Sequence, residues 1–159
     1  MEVRPPVRRR RADDVSDSEN ASTAPVLLYD GVCGVCNRGV RTILRFDRRG
    51  TLRFAALDSD FARGVIARHP ELADVDSVVY VTNPGGSDET VDIQSAAMFR
   101  VAEYLGGPWR LTLAARAIPP FLRDWAYARF AEVRYHVGGQ YDTCPIPPPE
   151  VRSRFIDAA

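Results

Sequence analysis

Apolar positions along the chain alternate between short unbroken runs and longer stretches of helical period. The first run is Val26-Leu27-Leu28-Tyr29, closed by the turn dipeptide Asp30-Gly31. A run that short with a turn behind it predicts a strand buried on both faces. Cys36, Val40, Ile43 and Leu44 then recur at intervals of four, three and one, which puts them on one face of a helix. Arg48-Arg49-Gly50 ends that helix, with cations in the last turn and glycine beyond it. Residues 52–57 predict a second strand. Asp58 or Ser59 caps a helix running to about His69, with Phe61, Val65 and Ile66 inward and Pro70 as the stop. Residues 77–82 and 90–93, joined across Asn83-Pro84-Gly85-Gly86, predict a hairpin. Ser95 is expected to cap a helix carrying Met98, Val101, Ala102 and Leu105, stopped by Gly106-Gly107. Residues 109–118 predict another helix. A longer one follows from Pro120 to about Tyr135, with Phe121, Leu122, Trp125 and either Phe130 or Ala128 inward, ended by Gly138-Gly139. A Pro-rich piece and one short final helix complete the chain.

The resulting order, β-α-β-α-β-β-α and then further helices, is that of the thioredoxin fold: an α/β protein with a central four-stranded mixed sheet flanked by helices. Two parallel strands flank the first helix, an antiparallel hairpin follows, and helices cover both faces. Extra helices are added at the C-terminal end. The folded domain is expected over residues 25–159. Residues 1–24 hold a basic cluster, Arg8 to Arg11, followed by an acidic, Ser-rich stretch with almost nothing to bury, which predicts a disordered tail.

Composition narrows the function classes. The chain has 159 residues, one domain's worth, with 21 basic and 21 acidic side chains and a net charge of zero. That balance gives no footprint for nucleic acid or an anionic membrane. No apolar stretch approaches the roughly 18 residues of a membrane helix. The basic N-terminus is not followed by an apolar segment, so no secretory leader is expected and a cytoplasmic setting is. There thiols are kept reduced, and a paired C-x-x-C is more often catalytic or metal-binding than structural. Every basic residue is Arg, which excludes Schiff-base chemistry and a Lys-dependent phosphate loop.

The candidate chemistry lies at the join of the first strand and helix. Cys33 falls at the helix mouth and Cys36 one turn in. Unpartnered amides and the macrodipole there stabilise a thiolate, the attacking species in disulfide exchange. Cys33 is therefore the expected nucleophile. Cys36 lies on the same face at a Cα separation of about 5 Å, within disulfide range, and is the expected resolving thiol. Asp30 can hold the loop by accepting from its amides, or take the Cys36 proton; turn-building is the stronger role. Gly31 and Gly34 serve the loop, and Gly34 leaves room for a substrate backbone beside Cys33. Cys144 is either a third redox thiol or a small core residue. Cys33, Cys36, Cys144, His69 and His136 are enough in number for zinc, but no second paired spacing exists, so no metal site is assigned.

These residues resemble the DCC family of thiol-disulfide oxidoreductases, whose D-x-x-C-x-x-C signature is matched by Asp30, Cys33 and Cys36. Three more stretches are similar to it: Ser95-Ala96-Ala97 through Leu105-Gly106-Gly107-Pro108-Trp109; Tyr127-Ala128-Arg129 through Arg134-Tyr135; and Cys144 with Pro147-Pro148-Pro149-Glu150 and Arg154-Phe155. The likeness spans roughly residues 25–156. It implies a thioredoxin-like dithiol enzyme that needs no cofactor. Its partners would be a thiol or disulfide substrate, protein or small molecule, and a reductant such as glutathione or a thioredoxin system, with neither nucleic acid nor membrane involved. Thioredoxins place a Pro before the third strand, facing the C-x-x-C; this chain has Val75-Asp76-Ser77 there, which implies an altered docking backbone. The alternatives are a non-catalytic thioredoxin-like binding module, holding a metal through its C-x-x-C or nothing, and a glutathione-dependent transferase.

Overall fold

The computed structural model describes residues 24–140, 142 and 147–156. The tail expected to be disordered lies, apart from Ala24, outside the described residues, and so does Cys144. Strand β1 (Val26–Tyr29) is wholly buried, and β2 (Arg53–Ala56), β3 (Val79–Thr82) and β4 (Thr90–Ile93) complete one mixed sheet in the order β2-β1-β3-β4. β1 runs parallel to β2 with Leu27 opposite Phe54, and antiparallel to β3, which forms the hairpin with β4. Helices α1 (Gly34–Phe46), α2 (Asp60–Arg68), α3 (Gln94–Leu105) and α4 (Pro120–Gly138) flank it. This is the thioredoxin-like arrangement read from the element order.

Alternation along β1 divides the core. Leu27 and Tyr29 join Phe54 and Tyr80 on one face, beneath Val40 and Ile43 of α1 and Val101 of α3. Val26 and Leu28 join Val79 and Val81 on the other, against Ala62 and Val65 of α2. Burial on both faces is why β1 needs four apolar residues in succession. It also fixes where β1 ends, at the edge of the core, with the next seven residues, 30–36, free to form the site. Ser59 caps α2 as expected, its Oγ accepting from Ala62 N at 3.1 Å.

Four expectations about the helices are corrected. Ser95 does not cap α3: the helix starts at Gln94, after Ile93, and Ser95 Oγ instead donates to Asp124 Oδ1 of α4 at 2.8 Å. Met98 is half exposed rather than inward. Residues 107–117 form a 3₁₀ segment instead of an α-helix. On α4, Phe121, Leu122, Trp125 and Phe130 face outward. That helix turns its polar face to the protein: Arg134 is buried, and Arg123 lies 4.9 Å over the Phe99 ring.

The hairpin is tied to α2 by Glu89, which accepts from Arg68 Nε and Nη2 at 2.8 Å each and contacts His69 Nε2 at 3.0 Å. The hydrogen bonds from Arg68 hold its carboxyl down to about 2 against the opposing effect of burial. A carboxylate held below its unfolded value of about 4.3 contributes stability above that value and loses it as pH falls toward the folded value. Thermal melts from pH 6 to pH 2 should therefore show a loss between about pH 4.5 and 2 that is smaller in Glu89→Gln.

Candidate active site

The loop between β1 and α1 is shaped by one carboxylate. Asp30 Oδ1 accepts from Val32 N at 3.0 Å and from Cys33 N at 3.2 Å, an Asx turn that ends with Cys33 as the N-cap residue of α1. The buried amide of Asn37 locks the loop from the other side, donating to the Gly31 carbonyl at 2.7 Å and the Cys33 carbonyl at 3.0 Å. Cys33 thus sits at the helix mouth and Cys36 is the third helical residue. Both thiols are free and in hydrogen-bonding contact.

The end of α4 covers this loop. Gly34 N donates to the Gly139 carbonyl at 3.0 Å, and Cys33 pairs with Gln140 in an isolated antiparallel bridge. Cys33 is fully buried under this strap, whereas Cys36 is partly exposed. One helix-mouth amide, that of Gly34, is committed to the strap. The backbone that lies against Gly34 is the chain's own: a Cβ there would stand 2.0 Å from Gly138 O.

A second carboxylate oxygen of Asp30 joins the site to α4. Asp30 Oδ2 accepts a short hydrogen bond from the Tyr135 hydroxyl and lies 3.4 Å from Arg134 Nη2. The guanidinium is 2% exposed, also reaches Asp76 Oδ2 at 3.4 Å and Tyr135 OH at 3.0 Å, and leaves Nε without a partner. Ser77 Oγ, in the segment where thioredoxins carry their Pro, is likewise buried, beside the Tyr127 hydroxyl. Tyr127 OH accepts from Val78 N at 3.4 Å, and burial pushes its phenol above the ordinary tyrosine value, with a smaller push from Cys36. An open cleft of about 350 Å³ adjoins the loop, lined by Asp30, Gly31, Val32, Asp58 and Asp76 among others.

These surroundings act on Cys36. Burial pushes its thiol up to about 12, aided by its hydrogen bond with Cys33 and by the negative charge of Cys33 and Asp30; the Arg134 guanidinium opposes them. Cys36 in the dithiol form is therefore protonated at neutral pH. Iodoacetamide labelling of Cys36, read by peptide mass, should stay slow where an ordinary thiol of about 8.5 would already be reacting, and climb only in strongly alkaline buffer. Cys33→Ala should move that climb to lower pH, since it removes both of the contributions Cys33 makes.

Asp30, Gly31, Cys33, Gly34 and Cys36 are thus brought together. Among the described residues no three metal-ligating side chains converge, and His69 belongs to the Glu71–Glu89 cluster. Sequence reasoning left Asn37, Asp76, Ser77, Tyr127, Arg134 and Tyr135 without roles here. One of the stretches resembling the family contains Tyr127, Arg134 and Tyr135, but nothing in its spacing aims them at a loop a hundred residues away.

A dithiol at the first turn of a helix that follows the central strand of a thioredoxin-like sheet defines the class of protein. Within that class, the chain belongs to the DCC1-like thiol-disulfide oxidoreductase family, whose profile matches residues 27–140. It is 34% identical over 132 residues to the uncharacterized protein YuxK of Bacillus subtilis (strain 168), covering 82% of this chain and 93% of the relative. It is 31% identical over 145 residues to the chloroplastic DCC family protein At1g52590 of Arabidopsis thaliana, covering 88% and 81%. No solved structure matches it. Among the described residues no helix is long and apolar enough to cross a membrane.

Proposed function

We propose that the protein is a thiol-disulfide oxidoreductase using the Cys33–Cys36 dithiol. Cys33 attacks one sulfur of a substrate disulfide, forming a mixed disulfide and releasing the first substrate thiol. Cys36 then gives up its proton and attacks Cys33 Sγ, which releases the second thiol and leaves a Cys33–Cys36 disulfide. A thiol reductant, such as glutathione or a thioredoxin system, returns two electrons and restores the dithiol. The observation that carries this reading is the pair of free thiols in hydrogen-bonding contact at the mouth of α1, with Cys36 held protonated until Cys33 has reacted. Asp30, Gly31 and Gly34 support the loop, and Arg134 favours the Cys36 thiolate when resolution calls for it. Because Gly138–Gln140 covers Cys33, substrate entry requires that strap to move aside. We place the protein in the cytoplasm, where the described cysteines would rest as thiols.

Equilibration in glutathione buffers, then acid trapping and mass analysis, tests this reading. The expected midpoint is about −200 to −270 mV, between glutaredoxins and thioredoxin. Failure to form a Cys33–Cys36 disulfide at any poise, with zinc found in the purified protein, points to the metal-holding binding module instead.

A further inference from the structure

Helix α4 is built inside out. Its nineteen residues present Arg123, Tyr127 and Arg134 to the domain, while the opposite side carries six exposed apolar side chains with Arg129, Glu132 and His136 among them. Phe121 is 75% exposed, Leu122 46%, Trp125 62%, Phe130 42%, Val133 47% and Val137 70%. At 100° per residue all six fall within one half of the helix circumference. Their exposed area is roughly 650 Å², above the 300–600 Å² of the largest patch on a typical monomer.

We infer that this stripe is the interface of a two-fold symmetric dimer, α4 packed antiparallel against α4 of a second copy. Two such faces would bury at most about 1,300 Å², which reaches the low end of the 1,200–2,000 Å² range of specific interfaces. Phe121, Trp125, Val133 and Val137 lie on one ridge spaced every four residues, the pattern that interdigitates in the commonest helix-packing class. The ridge is large at its N-terminal end and small at its C-terminal end. An antiparallel partner therefore sets Phe121 against Val137, Trp125 against Val133 and Arg129 beside its own symmetry mate on the axis, with Ala126 giving room near the middle. An isologous contact demands that kind of self-complementarity. Arg129, the charged residue within the ridge, already has Glu132 at 3.0 Å, so its charge is paired when water leaves. The N-terminal segment of this chain offers no comparable cover, since residues 1–23 are dominated by Arg, Asp and Ser.

Sedimentation equilibrium of the full chain, with and without lipid vesicles, tests this inference independently of the redox reading. The expected mass at tens of micromolar is twice 17.7 kDa. Val133→Glu and Trp125→Glu should each return the mass to that of one chain, with unchanged far-ultraviolet circular dichroism as the check on folding. A wild-type chain that stays monomeric overturns the inference, whether or not it floats with neutral vesicles. A dimer that persists in both folded variants overturns it as well, by placing the interface elsewhere.

Discussion

Arg134→Met should cost about 3–5 kcal/mol of unfolding free energy, the penalty for stripping one partner from a buried ion pair. The guanidinium is 2% exposed and Asp30 only 13%, so neither relies on bulk water for its charge. Methionine matches much of the volume and none of the charge. Asp30 would keep the Tyr135 hydroxyl and the two loop amides but lose its cation. Asp76 would lose little, being 83% exposed. Asp30→Asn should likewise destabilise, by leaving Arg134 the uncompensated member. The double variant should recover part of the loss, and denaturant titrations of all four proteins give the coupling energy, expected at about 1–3 kcal/mol. Additive losses would mean that the two charges do not act on each other. Redox behaviour should move too: without the Arg134 cation that favours a Cys36 thiolate, the mixed disulfide on Cys33 should resolve more slowly.

The pair also marks how far the sequence is legible. Val26-Leu27-Leu28-Tyr29 reads directly as a strand, because only a strand buried on both faces needs that run, and Asp30-Gly31 reads as its turn. The C-x-x-C falls into place at once, since a local turn and a local helix are all that position it. The hairpin and the Ser59 cap are legible for the same reason. What lies across the fold is not. Periodicity in α4 identifies an apolar face without saying what it packs against, and burial toward the core was the natural assumption. The domain instead needed cations there, Arg134 for Asp30 and Arg123 over Phe99, which turned the apolar residues outward. Ser95 misled in a related way: its hydroxyl had a better use bonding Asp124 of α4 than capping its own helix. Residues 107–117, read as an α-helix, fold as a 3₁₀ segment entered through Gly106 and Gly107, both at positive φ, and Pro108.

The strap over Cys33 supplies a test in which two substitutions of the same kind, in the same helix, should act in opposite directions. Gly39 lies exposed in the middle of α1 with nothing within 4 Å of an added Cβ, so Gly39→Ala should stabilise by about 0.5–1 kcal/mol through backbone entropy. Gly34 opens the same helix, but its Cβ would stand 2.0 Å from Gly138 O and 2.9 Å from Gly138 C. Those are backbone atoms, and Gly138 is itself pressed on the Val35 backbone, its own Cβ position lying 2.7 Å from Val35 N. Neither surface can yield by turning a side chain, so the strap must lift. Gly34→Ala should lose about 3 kcal/mol, the upper end of overpacking costs, and with it the Gly34–Gly139 hydrogen bond. Cys33 should then be open to reagents. We expect its iodoacetamide labelling at neutral pH, resolved by peptide mass, to rise at least tenfold over the parent, on the order of the 1.4 kcal/mol that a tenfold change represents. Labelling unchanged in Gly34→Ala would mean that Cys33 is reached by a path the strap does not guard, and the entry step assigned to Gly138–Gln140 would have to be abandoned.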